Sequence, residues 1–386
     1  MAAGGADRAF ETVLVGGGLQ AGLVVLSVLA RRPEARLAVV EAGPTLGGNH
    51  TWSVSPADLP AAARCWIEPL VVHTWAGYDV AFPGLRRTLR SPYCTITSER
   101  FASVVSEALA RSCGSACYLG RRAVRLDEHE VALEDGTTLR ADLVIDARGP
   151  NLDAPMRGGF QKFLGLELEL DGPHGLVRPI VMDATVPQHG GFRFFYVLPF
   201  GPRRVLVEDT CFSRSPRLDR SATRSAVLEY AARLGRVTRV VREETGVLPM
   251  PYQSDAPEPD RSPLVAGYRG GWFHPATGYS LPAAARLACH VAERSPGEVL
   301  GPELTRLHRS HRVQARYAER LNRLLFHCFA PQDMRNVFER FYALPEGVIH
   351  RFLACSTTWL DRLRIVAGAP PRGFSLRPAL AVGGAA

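Results

Sequence analysis

The chain has 386 residues, of which 46% are hydrophobic and 22% are charged. This length and balance exclude a small disulfide-stapled fold and a largely disordered chain, and they predict two or three structural units. The chain carries 46 basic and 38 acidic side chains, a net charge of +8, but Lys162 is its only lysine. An arginine excess without a recognisable binding module does not favour a nucleic acid partner.

The eight cysteines are scattered without a C-x-x-C pair, so we expect neither a cysteine metal site nor a disulfide framework. Acidic side chains precede the first apolar run, which argues against a secretory signal. No stretch reaches the roughly 18 uncharged apolar residues that a membrane-spanning helix needs. The sequence predicts a protein without a metal, located in the cytoplasm or at the inner face of the cell membrane.

The start of the chain shows a β-α-β pattern that is typical of a dinucleotide site. Three elements are predicted there: a strand over 11–15, a helix over 19–31 and a strand over 37–40. Gly16, Gly18 and Ala21 match the G-x-G-x-x-G/A fingerprint, in which glycines allow a tight turn and close approach of a pyrophosphate, and a small third residue lets the helix pack on the strand. Glu41 follows at the distance of a carboxylate that accepts hydrogen bonds from a ribose. Together these features favour a dinucleotide over a purely structural turn.

Other segments extend this unit. Further predicted elements are a helix over 98–111, strands over 122–126, 131–133, 139–145 and 264–267, and a helix over 283–293. Asp146 and Gly149 form a turn after one strand, and it either contacts the same dinucleotide or lies at the surface. A later loop contains His274 and Gly278, and its backbone amides offer another pyrophosphate contact, although a structural histidine is the more common case. The predicted nucleotide-binding domain comprises residues 1–50, 95–150 and 248–300.

Residues 158–247 alternate between apolar and polar side chains, which predicts a mixed or antiparallel sheet covered by a helix over 221–234. The densest aromatic stretch of the chain lies here, and its candidate substrate contacts are Phe192, Phe194, Tyr196 and Phe200. We assign a substrate-binding domain to residues 51–94 and 151–247.

Glu208 and Asp209 end a predicted strand directly after this aromatic stretch, and they are the candidate catalytic acids. Neighbouring side chains of a strand point to opposite faces, so we expect only one of them to enter a cavity. A carboxyl group walled by aromatic rings resists ionisation and can act as a general acid at neutral pH. A pair of surface acids is the alternative.

Residues 301–370 are predicted to be helical, and 371–386 are predicted to fray. The first helix has a basic stripe formed by Arg309, Arg312, Arg316, Arg320 and Arg323. Its predicted apolar face consists of Val313, Tyr317, Leu321, Leu324 and Cys328. The helix either packs against its neighbours with a solvated basic face or binds an anionic membrane surface.

Beyond these patterns, the chain resembles the bacterial flavin-dependent lycopene β-cyclases. Twelve short segments carry the resemblance in order: residues 13–19, 41–44, 47–53, 93–101, 144–149, 160–163, 179–186, 192–194, 207–210, 273–282, 321–326 and 340–342. Several of them, such as VEDT at 207–210 and FHPATGYSLP at 273–282, are specific to this family rather than to flavoproteins in general. The sequence departs from the family at Gly190, where we expect Asp or Asn beside the aromatic stretch.

The resemblance implies an α/β fold with a Rossmann-like FAD-binding domain, a mixed β-sheet substrate domain and a C-terminal helical region. It implies that FAD contacts Gly16, Gly18, Glu41, the turn at residues 146–149 and the Gly278 loop, and that Glu208 is the essential acid. The implied reaction is a non-redox cyclisation of lycopene through a carbocation to β-ionone rings, giving β-carotene by way of γ-carotene. The flavin is expected to be reduced, with NAD(P)H as the reductant, and either Glu208 or the flavin delivers the proton.

Two other functions remain compatible with the sequence. One is a flavin-dependent monooxygenase or polyene oxidoreductase, which would consume NAD(P)H in proportion to product. The other is a non-catalytic protein that binds flavin or a carotenoid.

Because lycopene is insoluble in water, the resemblance also implies an enzyme attached peripherally to an anionic membrane surface.

Overall fold

The computed structural model describes residues 8–150, 156–254, 256–259 and 261–375. Its strands are β1 (Arg8–Val15), β2 (Leu37–Glu41), β3 (Thr51–Val54), β4 (His73–Trp75), β5 (Tyr78–Phe82), β6 (Leu85–Leu89), β7 (Tyr93–Thr97), β8 (Ala116–Leu119), β9 (Ala123–Leu126), β10 (Glu130–Leu133), β11 (Thr138–Asp146), β12 (Gly158–Leu170), β13 (Ile180–Asp183), β14 (Phe192–Gly201), β15 (Arg204–Ser213), β16 (Val237–Pro251) and β17 (Leu264–Val265). Its α-helices are α1 (Leu19–Arg31), α2 (Arg64–Ile67), α3 (Ser98–Arg111), α4 (Arg220–Ala231), α5 (Leu281–Ala292), α6 (Pro302–Cys328), α7 (Met334–Tyr342), α8 (Glu346–Leu353) and α9 (Trp359–Val366).

The first sheet has the order β8-β2-β1-β11-β10-β9, and β17 also pairs with β11. Its central strands are parallel, and their apolar runs are buried because α1, α3 and α5 cover one face. The side chain of Thr97 accepts a hydrogen bond from the backbone of Arg100 and so fixes the start of α3. The predicted helices over 19–31 and 98–111 are confirmed, and the carboxyl ends of β1 and β11 meet at one edge of the sheet.

The second sheet has the order β16-β12-β15-β14-β13-β5-β6, and it is antiparallel except where β13 runs parallel to β5. Its alternating sequence gives it two different faces. One face packs against α4 in an apolar core that contains Val207, Val227 and Tyr230. The other face, which carries Phe194 and Phe212, packs against the C-terminal helices α6, α7 and α8 in a second apolar core. This mixed sheet and its covering helix confirm the predicted fold class.

A third, small sheet of order β3-β7-β4 is formed by strands that lie between β2 and α3 in the chain. It places Trp52 and Ser53 at the cavity described below. The C-terminal region is helical as predicted, with α7 packed against β14 and β5.

The predicted division of α6 into faces is wrong in part. Val313 and Leu324 of the predicted apolar face are exposed, while the buried face includes small and polar residues such as Ala315, Ala318 and Asn322. Small side chains let this helix approach its neighbours closely, which a count of large apolar residues does not register. Within the predicted basic stripe, Arg312 is mostly buried and forms an ion pair with Glu319 at 3.3 Å.

The predicted frayed tail is only partly described. Phe374 packs edge-on against Phe329, with 5.7 Å between ring centres, and the backbone N–H of Ser375 donates to the carbonyl of Cys328. Residues 371–375 are therefore held against the end of α6, contrary to the expectation. The rest of that segment, residues 376–386, lies outside the described residues.

Candidate active site

The turn between β1 and α1 is built for close approach by a ligand. Gly16 has a φ of +97°, and a Cβ there would lie 2.8 Å from the carbonyl oxygen of Ala147, so only glycine fits. Gly18 precedes α1 without a side-chain cap, and a Cβ there would meet no atom within 4 Å. The first amides of α1 thus open onto free space, which suits an anion. Ala21 is fully buried and serves packing rather than contact, as the fingerprint predicts.

Glu41 ends β2 and shapes this turn. Its Oε2 accepts a hydrogen bond from the backbone of Gly17 and its Oε1 from Gly43, both at 2.6 Å. A carboxylate oxygen has more than one acceptor site, so Glu41 can still accept from ribose hydroxyls.

Two other predicted nucleotide-binding segments, the turn at residues 146–149 and the loop at residues 274–278, also border the cavity. The carboxylate of Asp146 is buried and pairs with Arg148 at 2.7 Å; burial raises the pKa of Asp146, but the Arg148 hydrogen bonds and charge outweigh it and lower the pKa overall. Ala147, Arg148 and Gly149 line the cavity, whereas the Asp146 side chain does not.

The side chain of His274 also stays outside the cavity lining. It is fully buried, and burial lowers its pKa to about 3, so it is neutral. Its Nδ1 accepts a hydrogen bond from the backbone of Ala276 at 3.2 Å, which shapes the loop that carries Gly278. Gly278, with a φ of +67°, does line the cavity. His274 and Asp146 are therefore supports of the loops rather than direct contacts in this structure.

One continuous cavity of about 860 Å³ extends from this turn across the second sheet to the C-terminal helices. At one end it is lined by Gly16 and Gly18, and at the other by Leu324 and Val366. Many of its other lining residues are aromatic. A cavity with this form suits a dinucleotide at one end and an apolar ligand in the remainder.

Glu208 lies on the cavity face of β15, in the middle of the second sheet. Directly across from it are Tyr196 on β14 and Gly165 on β12, and Glu244 of β16 lies beyond Gly165. A Cβ at position 165 would lie 3.2 Å from Cγ of Glu244 and 3.4 Å from Cβ of Glu208. The absent side chain of Gly165 therefore lets two carboxyl groups approach each other across a strand.

These surroundings keep Glu208 protonated. Burial, followed by the negative charge of Glu244, raises its pKa to about 8, against the opposing hydrogen bond from the hydroxyl of Thr210. Burial also raises the pKa of Glu244, although Arg242 at 2.7 Å and the hydroxyl of Thr51 at 2.8 Å favour its charged form. At neutral pH Glu208 is therefore a neutral acid that can donate a proton.

Asp209 is on the opposite face of the sheet, toward α4. Its two oxygens accept hydrogen bonds from the guanidinium group of Arg193 at 2.9 and 2.7 Å; Asp209 is buried and Arg193 is mostly buried. It does not line the cavity. The structure thus selects Glu208 as the candidate acid and shows Asp209 in a structural ion pair, because successive side chains of a strand point apart.

The four predicted aromatic contacts separate into two groups. Phe194 and Tyr196 line the cavity. Phe192 is fully buried and stacks on Phe338 at 4.1 Å, so it supports the lining from behind. Phe200 stacks on His73 at 5.0 Å and is not part of the lining.

Much of the aromatic wall comes from segments that sequence reasoning did not assign to the site. The additional lining residues include Trp52, Tyr93, Phe163, Phe212, Phe338, Phe341, Tyr342 and Phe352. Three of them recur at helical spacing on α7, a pattern that could have marked one face of that helix as aromatic.

The hydroxyl groups of Tyr93 and Tyr196 share a hydrogen bond at 3.0 Å, and the hydroxyl of Tyr196 donates to that of Ser53 at 2.7 Å. These bonds tie the small third sheet to the second one.

A second acid, Asp58, also lines the cavity. Its Oδ2 accepts from the hydroxyl of Tyr279 at 3.4 Å, and its Oδ1 lies 3.7 Å from Nδ1 of His350. Asp58 was not among the site residues predicted from the sequence.

The departure at Gly190 has a backbone explanation. Gly190 is exposed, its φ is +71°, and a Cβ there would meet no atom within 4 Å. Glycine, asparagine and aspartate all tolerate this left-handed conformation. The residue at this position therefore serves the turn before β14, and the surroundings of Glu208 do not depend on it.

Within the described residues, no group of three or more His, Cys, Asp and Glu side chains has the geometry of a metal site. In the same part of the chain, every helix is too short or too polar to cross a bilayer.

The fold and the turn at Gly16 define a protein of the dinucleotide-binding α/β class, with an apolar cavity next to the nucleotide end. A family model described as lycopene cyclase protein matches residues 11–377. The chain belongs to the lycopene cyclase family, which is a family of enzymes.

Two bacterial relatives extend over nearly the whole chain. The lycopene beta-cyclase of Pantoea ananas is 40% identical over 368 residues, 94% of this chain and 95% of the relative. That of Pseudescherichia vulneris is 42% identical over 372 residues, with 94% of each chain covered.

Solved structures agree on the fold. A geranylgeranyl bacteriochlorophyll reductase-like protein from Thermoplasma acidophilum superimposes with a TM-score of 0.62 at 12% identity, covering 93% of this chain and 96% of its own. A variant of the halogenase PltM, solved in complex with FAD, gives a TM-score of 0.61 at 11% identity, covering 89% of this chain and 81% of its own. The chain therefore has the fold of flavoproteins.

Proposed function

We propose that the chain cyclises the ψ-ends of lycopene to β-ionone rings, giving β-carotene by way of γ-carotene. The observation that carries the proposal is Glu208, a carboxyl group with a pKa raised to about 8 inside a cavity walled by aromatic rings. Protonation of an unactivated double bond needs an acid that is still protonated at neutral pH and a site without water. The family membership of the chain supports the same substrate.

The reaction is an isomerisation, and its protons balance. The carboxyl group of Glu208 adds its proton to the terminal double bond, which leaves a tertiary carbocation on the polyene. The electron pair of a nearby double bond then closes the six-membered ring, and that ring returns a proton to the Glu208 carboxylate, which forms the β-end and restores the acid. Substrate and product therefore have the same mass.

The aromatic wall stabilises the cation. Phe194 and Tyr196 lie on the same face as Glu208, and each ring face that contacts a desolvated cation contributes about 2 kcal/mol. The hydroxyl of Tyr196 is engaged with Ser53 and Tyr93, and burial raises the pKa of Tyr93 to about 12. Neutral phenols with occupied hydroxyl groups do not trap the cation as nucleophiles.

The residues at the nucleotide end fit FAD. The open amides at the start of α1, the glycines at 16, 18 and 278, and the carboxylate of Glu41 would hold its pyrophosphate and ribose. Reduced FAD would supply an electron-rich, negatively charged ring system that favours positive charge on the polyene. We propose NAD(P)H as the reductant, without net consumption of electrons.

The substrate requires contact with a membrane. Lycopene dissolves in a bilayer and not in water, so we propose peripheral attachment at the inner face of the cell membrane. The basic surface of the chain, with a net charge of +8, suits anionic lipids.

The test is expression in a lycopene-accumulating host with analysis of the carotenoids formed. The wild-type chain should convert red lycopene to orange products of equal mass, and Glu208→Gln should abolish conversion while flavin remains bound. A product that gains oxygen, or NAD(P)H consumed in proportion to product, would instead identify an oxygenase or oxidoreductase.

Asp209→Asn is the matched control for that experiment. It leaves Arg193 without its buried partner, so we expect a loss of about 3 kcal/mol of stability. The folded fraction should nevertheless keep its activity per molecule, because Asp209 does not face the cavity. Full activity of Glu208→Gln would refute the assigned acid.

A further inference from the structure

The C-terminal helix α9 presents an unusual apolar surface. Trp359, Leu363 and Val366 recur at spacings of four and three residues, so they form one stripe, and their exposed fractions are 73%, 53% and 53%. Leu360 beside them is also exposed. The other side of α9 is anchored: Asp361 is buried and accepts two hydrogen bonds from Arg351 at 2.7 Å. The stripe is therefore the free face of a firmly attached helix.

This surface continues onto α6. The hydroxyl of Tyr317 donates to the carbonyl of Arg362 at 3.1 Å, and the Arg362 guanidinium group lies over the Tyr317 ring. Val313 and Leu324 are exposed and lie on α6, the helix that α9 contacts. We call the surface formed by Val313, Leu324, Trp359, Leu360, Leu363 and Val366 the apolar platform.

The apolar platform meets the mouth of the cavity. Leu324 and Val366 are exposed members of the platform and also line the cavity. The segment that follows α9 contributes Gly368, Pro370 and Pro371 to the same lining. The platform and the cavity therefore share apolar residues, which suits transfer of an apolar molecule from one to the other.

Arginines border the platform. Arg309, Arg316 and Arg320 are exposed and lie within about 60° of Val313 around α6, on the side away from Tyr317. Arg364 is exposed on α9. A second copy of the chain on the platform would bring these like charges together and close the mouth of the cavity. An anionic bilayer matches both the apolar area and the positive border.

We propose that the apolar platform is the membrane-docking surface, with Trp359 and Leu363 inserted among the lipid chains and the cavity mouth opening directly into the bilayer. This inference rests on the proposed function for the identity of the cargo. The platform, and not the predicted basic stripe, is then the main source of membrane affinity. Arg312 of that stripe is already paired with Glu319 and donates to the carbonyl of Ser254. The arginines around the platform act as a charged rim.

The test is co-sedimentation of the FAD-loaded protein with vesicles of phosphatidylcholine and phosphatidylglycerol. The double variant Trp359→Ser with Leu363→Ser should lower the partition coefficient about tenfold or more, because two large apolar side chains no longer leave water. Val177→Ser removes an equally exposed apolar side chain, 77% exposed, outside the platform, and it should bind like wild type. Unchanged sedimentation of the double variant would overturn the proposal.

Two further measurements separate docking from catalysis. Lipids brominated in their acyl chains should quench tryptophan fluorescence in the wild type and much less in Trp359→Phe; equal quenching would count against insertion. With lycopene in detergent micelles, the double variant should retain wild-type turnover, since neither residue lines the cavity. Glu208→Gln should bind vesicles normally without forming product. Loss of turnover in micelles by the double variant would show that the platform serves catalysis rather than docking.

Discussion

Three features of its surroundings raise the pKa of Glu208. The aromatic wall removes water, Gly165 leaves space for a second carboxyl group, and Glu244 supplies a negative charge. Activity that requires protonated Glu208 should be level below neutral pH and fall as the pH rises through about 8. The same raised pKa makes the free energy of unfolding depend on pH. The stabilising contribution of Glu208 is complete below its ordinary pKa of 4.5, and it is lost as the pH rises to about 8.

Replacement of Glu244 by glutamine should move the falling limb of the pH-activity profile to lower pH by about one unit. The negative neighbour is removed while Arg242, which still pairs with Glu167 at 3.2 Å, remains close and positive. The measurement is initial rate of product formation against pH with lycopene in micelles.

Glu243→Gln is the control for this variant. Glu243 precedes Glu244 on the same strand but pairs with Arg220 and Arg224 at the surface, so its removal should leave the profile in place. An unshifted profile in Glu244→Gln would mean that Glu244 does not set the acidity of Glu208.

Gly16 and Gly18 have different roles in the turn between β1 and α1. At Gly16 the backbone is left-handed and the neighbouring carbonyl is 2.8 Å from an added Cβ, whereas Gly18 has an ordinary extended conformation and open space. The fold itself therefore requires glycine at position 16, whereas at position 18 glycine leaves space for a ligand.

Alanine at each position should therefore have different effects. Gly16→Ala should destabilise the flavin-free protein by about 2 kcal/mol or more, because the strain exists without any ligand. Gly18→Ala should keep the melting temperature of the flavin-free protein and lose most of the increase that added FAD produces. Thermal unfolding with and without FAD measures both, and a normal FAD-dependent increase in Gly18→Ala would contradict the assigned cradle.

For the molecule as a whole, the cavity joins a nucleotide end to a mouth at the C-terminal helices. A bulky residue at that mouth should obstruct substrate without disturbing the nucleotide end. Val366→Trp should lower product formation from lycopene in vesicles severalfold, with unchanged flavin content and with vesicle binding no weaker than that of the wild type. Leu360→Trp, on the same helix but outside the lining, should behave like wild type. Equal rates for both variants would place the route of access elsewhere.

Local patterns predicted the nucleotide-binding unit closely, because its determinants are short-range. A glycine turn, a capped helix and continuous apolar strands are each encoded within a few residues, and α1 and α3 have the predicted bounds. The alternation of strand side chains also separated Glu208 from Asp209 in principle, and the structure shows which of the two faces the cavity.

The composition of the cavity could not be predicted in this way. Its wall combines Tyr93, Phe194 and Phe341 from distant parts of the chain, and the raised pKa of Glu208 depends on Glu244 across two strands. Residues such as Phe192 and Phe200, which share the sequence context of Phe194, are directed elsewhere by packing against Phe338 and His73. The amino-acid order alone therefore predicted the family and the nucleotide turn, whose signals are local, and the family resemblance made Glu208 the candidate acid. The lining of the cavity and its opening beside α9 depend on side chains that meet only after folding, since burial and proximity are properties of the packed molecule.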